Sequence, residues 1–222
     1  MMSEIETPEG AFKWRKLVLQ LVVGFALGGL AGFGGAYLVD HVLVTGGLEA
    51  VPLSAGIALF VAVIYLLFGT FVLGGLINPR IGAKVLNVED ADELAEQKAM
   101  LVNSGLAMVL CGGALAALAL AAPVGPLTAT AALLLAVGGL LGGMWFGWQA
   151  YRGSDELMLA VNLEGGALSY SLVFAVLGGW GMLAHLGYVA APQPLDLLTV
   201  CYALVLVASY IVIGRRGMLK VR

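Results

Sequence analysis

Asn87-Val-Glu-Asp-Ala-Asp-Glu-Leu-Ala-Glu-Gln-Lys-Ala-Met100 is the most charged window of an otherwise apolar chain. It runs straight into the apolar segment Met100–Ala122. Part of it recurs as Asp155-Glu156-Leu157, 63 residues after Asp92-Glu93-Leu94. An acidic segment at the head of an apolar run reads as the water-side start of a helix that continues into a membrane. The carboxylates can accept from the free N–H groups of the first turn and suit the positive end of the helix dipole. On this reading Asp90 is an N-cap with Glu93 three residues on, and Ser154 is the N-cap of the second copy.

Composition agrees. Apolar residues make up 61% of the 222, charged residues 11%, and the mean hydropathy is +0.99. A soluble domain carries about a quarter charged residues. Too little polar surface exists to face water, so lipid is the solvent for most of the chain. A net charge of −3 with no basic, aromatic-rich patch excludes a nucleic-acid partner. Cys111 and Cys201 each sit within an apolar run, without Cys or His at ligand spacing, and read as buried thiols.

Six apolar segments are long enough to span a bilayer core of about 30 Å at about 1.5 Å per residue. They are residues 17–39, 51–77, 100–122, 127–148, 167–191 and 195–213. Residues 1–12, acidic and small, read as a disordered tail before a single membrane domain over 13–222. The 17–39 segment is longer than a signal-peptide core and reads as a retained first span. Pro123-Val-Gly-Pro126 and Pro192-Gln-Pro194 leave room only for tight hairpins.

Six spans put every basic residue on one side: Lys13, Arg15, Lys16, Arg80, Lys84, Lys98, Arg152, Arg215, Arg216, Lys220 and Arg222. The other side holds Asp40, His41, Glu49 and Asp196. The positive-inside rule then makes both termini cytoplasmic. Five or seven spans would scatter the basic residues. The expected fold is therefore an all-α integral membrane protein, a six-helix bundle.

Glycine is the second organiser. Gly24, Gly28 and Gly32 share one face of the first span, and Gly138, Gly139, Gly142, Gly143 and Gly147 crowd the fourth. Small residues let helix backbones approach where lipid offers no hydrophobic drive for association. Such faces serve packing within one bundle. On the first span, the Gly24, Gly28 and Gly32 face would alternatively meet another membrane protein or a second copy.

The recurrent Asp-Glu-Leu has two readings. It is generic helix-start chemistry, or it marks a parallel duplication of helical hairpins, spans three and four repeated as five and six. The layout resembles multi-span bacterial membrane proteins whose cytosolic helix starts carry Asp-Glu-Leu or Asp-Glu-Arg. That resemblance covers residues 87–216. It implies a bacterial inner-membrane protein and attaches no activity.

Polar residues gather toward the cytosolic side, with Arg80, Asn103, Arg152, Asn162 and Glu164 as the candidate binding cluster. Glu164 shares a helix face with Leu157, Ala160, Val161 and Leu168, and a carboxylate on an apolar stripe near a membrane is costly. Its expected partner is Arg152 or Arg80. The plain alternative is an interfacial Glu in headgroup water. In the first copy, Leu101 takes the place of Glu164. His41 and His185 fall near the outer side, where two histidines could ligate a haem. Ordinary interfacial histidines are the simpler reading, and no cofactor or metal is expected.

No nucleophile elbow, zinc-protease motif, P-loop or dinucleotide glycine pattern is present. The span centres hold almost no ionisable groups. Three functions are consistent with this. A non-catalytic accessory, scaffold or assembly subunit of a membrane complex fits most features. A small-solute or lipid transporter using a site around Glu164 is the second. A haem protein or membrane enzyme is the third, supported only by the histidine pair.

Overall fold

The computed structural model describes residues 51–77 and 91–218, with residues 91–93 described by backbone alone. Within them lie six helices and no strand: α1 (Leu53–Gly75), α2 (Ala91–Glu96), α3 (Lys98–Ala119), α4 (Ala129–Arg152), α5 (Glu156–His185) and α6 (Pro194–Arg215). All but the short α2 are long and apolar enough to cross a membrane. These five carry the expected segments 51–77, 100–122, 127–148, 167–191 and 195–213. The expected segment 17–39, with Gly24, Gly28 and Gly32, lies outside the described residues, as do Asp90, Arg80 and His41.

Local chemistry sets the helix ends. The Thr128 hydroxyl accepts from the Ala131 N–H at 3.3 Å and caps α4. The Asp155 carboxylate accepts from the Met158 N–H at 2.7 Å and caps α5. This corrects the assignment of Ser154 as the cap. The Ser154 hydroxyl instead donates back to the Ala150 carbonyl, because it still belongs to the turn that ends α4. Pro194 opens α6 with φ already suited to a first turn, and the Asp196 carboxylate accepts from the Gln193 N–H at 2.8 Å.

Helices α5 and α6 end alike. Gly187 (φ 79°) and Gly217 (φ 70°) take left-handed backbone conformations that only glycine adopts cheaply. Beyond them the Tyr188 N–H bonds the Leu183 carbonyl, and the Met218 N–H bonds the Ile213 carbonyl. Both are Schellman closures, which satisfy carbonyls that a helix end leaves free. The fifth span is thereby moved. Its helix starts at Glu156 and stops at His185, ahead of the expected 167–191. Thirty residues make α5 about 45 Å long, more than a bilayer core needs.

Packing follows the order α4, α3, α1, α6, α5, with α1 in the middle. Spans successive in sequence run in opposite directions, so the neighbours α1 and α6 run parallel. The end of α1, the start of α3, the end of α4, the start of α5 and the end of α6 therefore meet at one end of the bundle. Lys98, Arg152, Arg215 and Arg216 all lie there. We call it the basic end.

The buried core sits toward the opposite end. It is formed by Ala58, Val61, Ala62 and Tyr65 of α1, Leu115 and Ala119 of α3, and Tyr202 of α6. Its alanines allow close backbone approach. Along the α1–α3 crossing, a β-carbon added at Gly69 would lie 2.8 Å from the Gly105 carbonyl oxygen. Along α3–α4, one added at Gly139 would lie 2.7 Å from the Leu110 carbonyl oxygen.

Candidate functional site

The bundle is tight at its core end and parted at its basic end. Between the α3–α4 pair and the α5–α6 pair lies a chamber of about 1460 Å³. Val72 of α1 forms part of its wall. The short turn Gly153–Ser154 holds the end of α4 to the start of α5 and so closes the chamber rim on that side.

Two kinds of surface line it. Leu101, Met108, Met158 and Val205 give apolar walls, and methionine adapts its shape to irregular contacts. Ser104, Ser154, Asn162 and Arg216 give polar ones. Asn162 donates to the Ser154 hydroxyl at 3.4 Å, a weak contact that bridges α5 to the α4–α5 turn. Asp155 also lines the chamber, with one carboxylate oxygen held by its capping bond.

Glu164 pairs with Arg216. The Arg216 Nη2 donates to Glu164 Oε1 at 2.6 Å and its Nε to Oε2 at 3.0 Å, a two-pronged guanidinium–carboxylate contact. Arg216 thus stands where Arg152 was expected, and Arg80, the other expected partner, lies outside the described residues. Helices α5 and α6 form an antiparallel hairpin, and Ala190 lies midway in sequence between Glu164 and Arg216. Equal distances along the two arms put them opposite each other. Gly217 ends α6 at that level, so Arg216 is held where Glu164 can reach it. Arg215 adds a second positive charge to the field at Glu164. The pair lies at the surface of the bundle: the Glu164 side chain is 55% exposed and that of Arg216 27%.

The expected cluster is therefore only partly assembled. Asn162 lines the chamber, and Glu164 grips a residue that lines it. Arg152 is exposed at the end of α4, and Asn103 is half-buried on α3; neither lines the chamber. His185 is the exposed last residue of α5. Among the described residues, no three His, Cys, Asp or Glu side chains gather as metal ligands.

Sequence reasoning missed Arg216. The signal was present, since Gly217 after two arginines marks a helix end. Counting back from the Pro192 turn then gives its partner. A second polar spot was also missed. Among the described residues the buried core holds few ionisable groups, but Tyr65 and Tyr202 meet there, with ring centroids 5.1 Å apart in an edge-on contact. The Tyr65 hydroxyl donates to the Tyr202 main-chain carbonyl at 3.0 Å. The Tyr202 hydroxyl is buried against the Cys111 thiol, a weak partner, and makes no well-formed hydrogen bond among the described residues.

Compared with known proteins, the chain matches no family model, no curated protein and no solved structure. The likeness to multi-span bacterial membrane proteins thus stays one of layout. The reading of function rests on the geometry.

Proposed function

We propose that this chain is an integral membrane protein that works by binding rather than by chemistry, handling a small solute or a lipid at the basic end of its bundle. The observation that carries this reading is the chamber. It exceeds the roughly 300–1,000 Å³ of ordinary small-ligand pockets. It also joins apolar walls to the side chains of Arg216 and Asn162 at one level, as an amphiphile requires. The positive-inside pattern would set this end in the cytosolic half of a bacterial inner membrane.

The accessory-subunit reading has its own support. Helix α5 packs mainly on α6 and leaves Leu163, Tyr170, Phe174 and Met182 exposed along its length. A partner's helices could cover that surface, as could lipid.

One preparation separates the two. The protein would be extracted from its native membrane in mild detergent, and both bound lipids and co-purifying polypeptides identified. A single lipid or solute class retained at about one per chain supports the binding reading. A second polypeptide at fixed stoichiometry, with no retained ligand, overturns it in favour of a subunit role.

A further inference from the structure

We propose that Glu164 occupies Arg216 in place of an anionic ligand, and that the chamber takes an amphiphile whose phosphate or carboxylate head displaces Glu164 from that guanidinium. This rests on the binding reading above and adds the ligand's chemical class and a means of exchange.

Three observations carry it. First, Arg216 is the only cation among the described residues lining the chamber; the other charged lining residue, Asp155, stays an anion with one carboxylate oxygen held by the Met158 N–H. The apolar walls beside Arg216 suit an acyl chain, so charge and hydrophobicity together select an anionic amphiphile. Second, Arg216 uses only Nε and Nη2 toward Glu164. A guanidinium carries five N–H donors, so Nη1 remains to begin contact with an incoming anion before Glu164 leaves. Third, the exchange is cheap on the departing side. Glu164 is more than half exposed at the bundle surface and does not itself line the chamber, so its release leaves no unpaired carboxylate inside the chamber. Exposed ion pairs contribute little net stability. A phosphate or carboxylate head would reproduce the same two-pronged contact in a less watery setting, where it counts for more.

Phosphate chemistry could come from a lipid headgroup or from a free anion. Native mass spectrometry of the purified full chain tests the assignment. The probes are dioleoyl phosphatidic acid, dioleoyl phosphatidylcholine and inorganic phosphate, each titrated into the same detergent. Wild-type protein should bind phosphatidic acid in preference to phosphatidylcholine. Glu164→Gln should bind it about tenfold more tightly, because the internal competitor is weakened, and Arg216→Gln about tenfold less. Arg216→Lys, which keeps the charge and loses the fork, should fall between. Competition by inorganic phosphate identifies a free anion as the natural occupant; its absence identifies the lipid headgroup.

The opposite signs of the two variants are the decisive feature. If the pair only braces the α5–α6 hairpin, both substitutions weaken binding alike, and the exchange is overturned. Equal binding of phosphatidic acid and phosphatidylcholine overturns the anionic class while leaving the chamber as a binding site. No binding of any probe, with no endogenous ligand retained on purification, overturns both.

Discussion

The Tyr65 hydroxyl reaches across from α1 to the main-chain carbonyl of Tyr202 on α6 at 3.0 Å, and the two rings meet edge-on. This contact ties the central helix of the bundle to the α5–α6 hairpin. The two hydroxyls differ in kind, because that of Tyr65 makes a well-formed hydrogen bond whereas that of Tyr202 meets only the Cys111 thiol.

Tyr65→Phe should therefore destabilise the protein by about 1 kcal/mol, the usual net worth of a hydrogen bond. Tyr202→Phe removes a buried hydroxyl whose neighbour is the weakly bonding Cys111 thiol and should be close to neutral. Tyr65→Ala also empties part of the core and should cost about 3–5 kcal/mol. Unfolding titrations with a denaturing detergent would rank the three. Equal losses for the two Phe variants would refute the assignment.

Helix starts give a second pair. Asp155→Ala removes the cap of α5 and should cost about 0.5–2 kcal/mol, whereas Asp155→Ser keeps an acceptor and should lose less. Ser154→Ala should have the smaller effect, since Ser154 caps no helix. Thermal unfolding in one detergent would compare all three, and a larger loss at Ser154 than at Asp155 would reverse the assignment.

Glycine substitutions should divide by location. A β-carbon at Gly139 meets the backbone of α3 within 2.7 Å, while one at Gly138 meets nothing within 4 Å. Gly139→Val should abolish the monodisperse peak in size-exclusion chromatography. Gly138→Ala should leave it intact and slightly favour the helix, by about 0.5–1 kcal/mol.

At the end of α6, Gly217→Ala forces a β-carbon into a left-handed conformation and should cost about 1–2 kcal/mol. Because Gly217 fixes the level of Arg216, that variant should also weaken whatever the Arg216–Glu164 pair contributes. Crosslinking between cysteines placed at positions 164 and 216 should fall in parallel.

Much of the architecture was legible. The hydrophobic effect writes membrane helices into sequence as long apolar runs, so the segments 51–77, 100–122, 127–148 and 195–213 coincide with α1, α3, α4 and α6 to within a few residues. The start of the fifth helix at Asp155 was also legible from its acidic first turn, and what differs is its far end, at His185 rather than 191. Its far end was legible in Gly187, had its conformational role been weighed. Glu164 stood out from its apolar neighbours. Arg216 did not, because its importance comes from pairing across a hairpin, and residues 52 apart carry no mutual mark in the sequence. The chamber was invisible for a similar reason. It arises where two helix pairs diverge, and crossing geometry depends on every contact along them.

The central position of α1 has a consequence for biosynthesis. Its contact with α3 can form soon after α3 emerges, but its bond to Tyr202 must wait until α6 has been made. During that interval the α6-facing side of α1 is open to lipid. The two short-looped hairpins can enter the bilayer as preformed pairs. Closing α6 onto α1 then follows the insertion of both hairpins, and a cysteine pair across that seam would register the moment α6 docks.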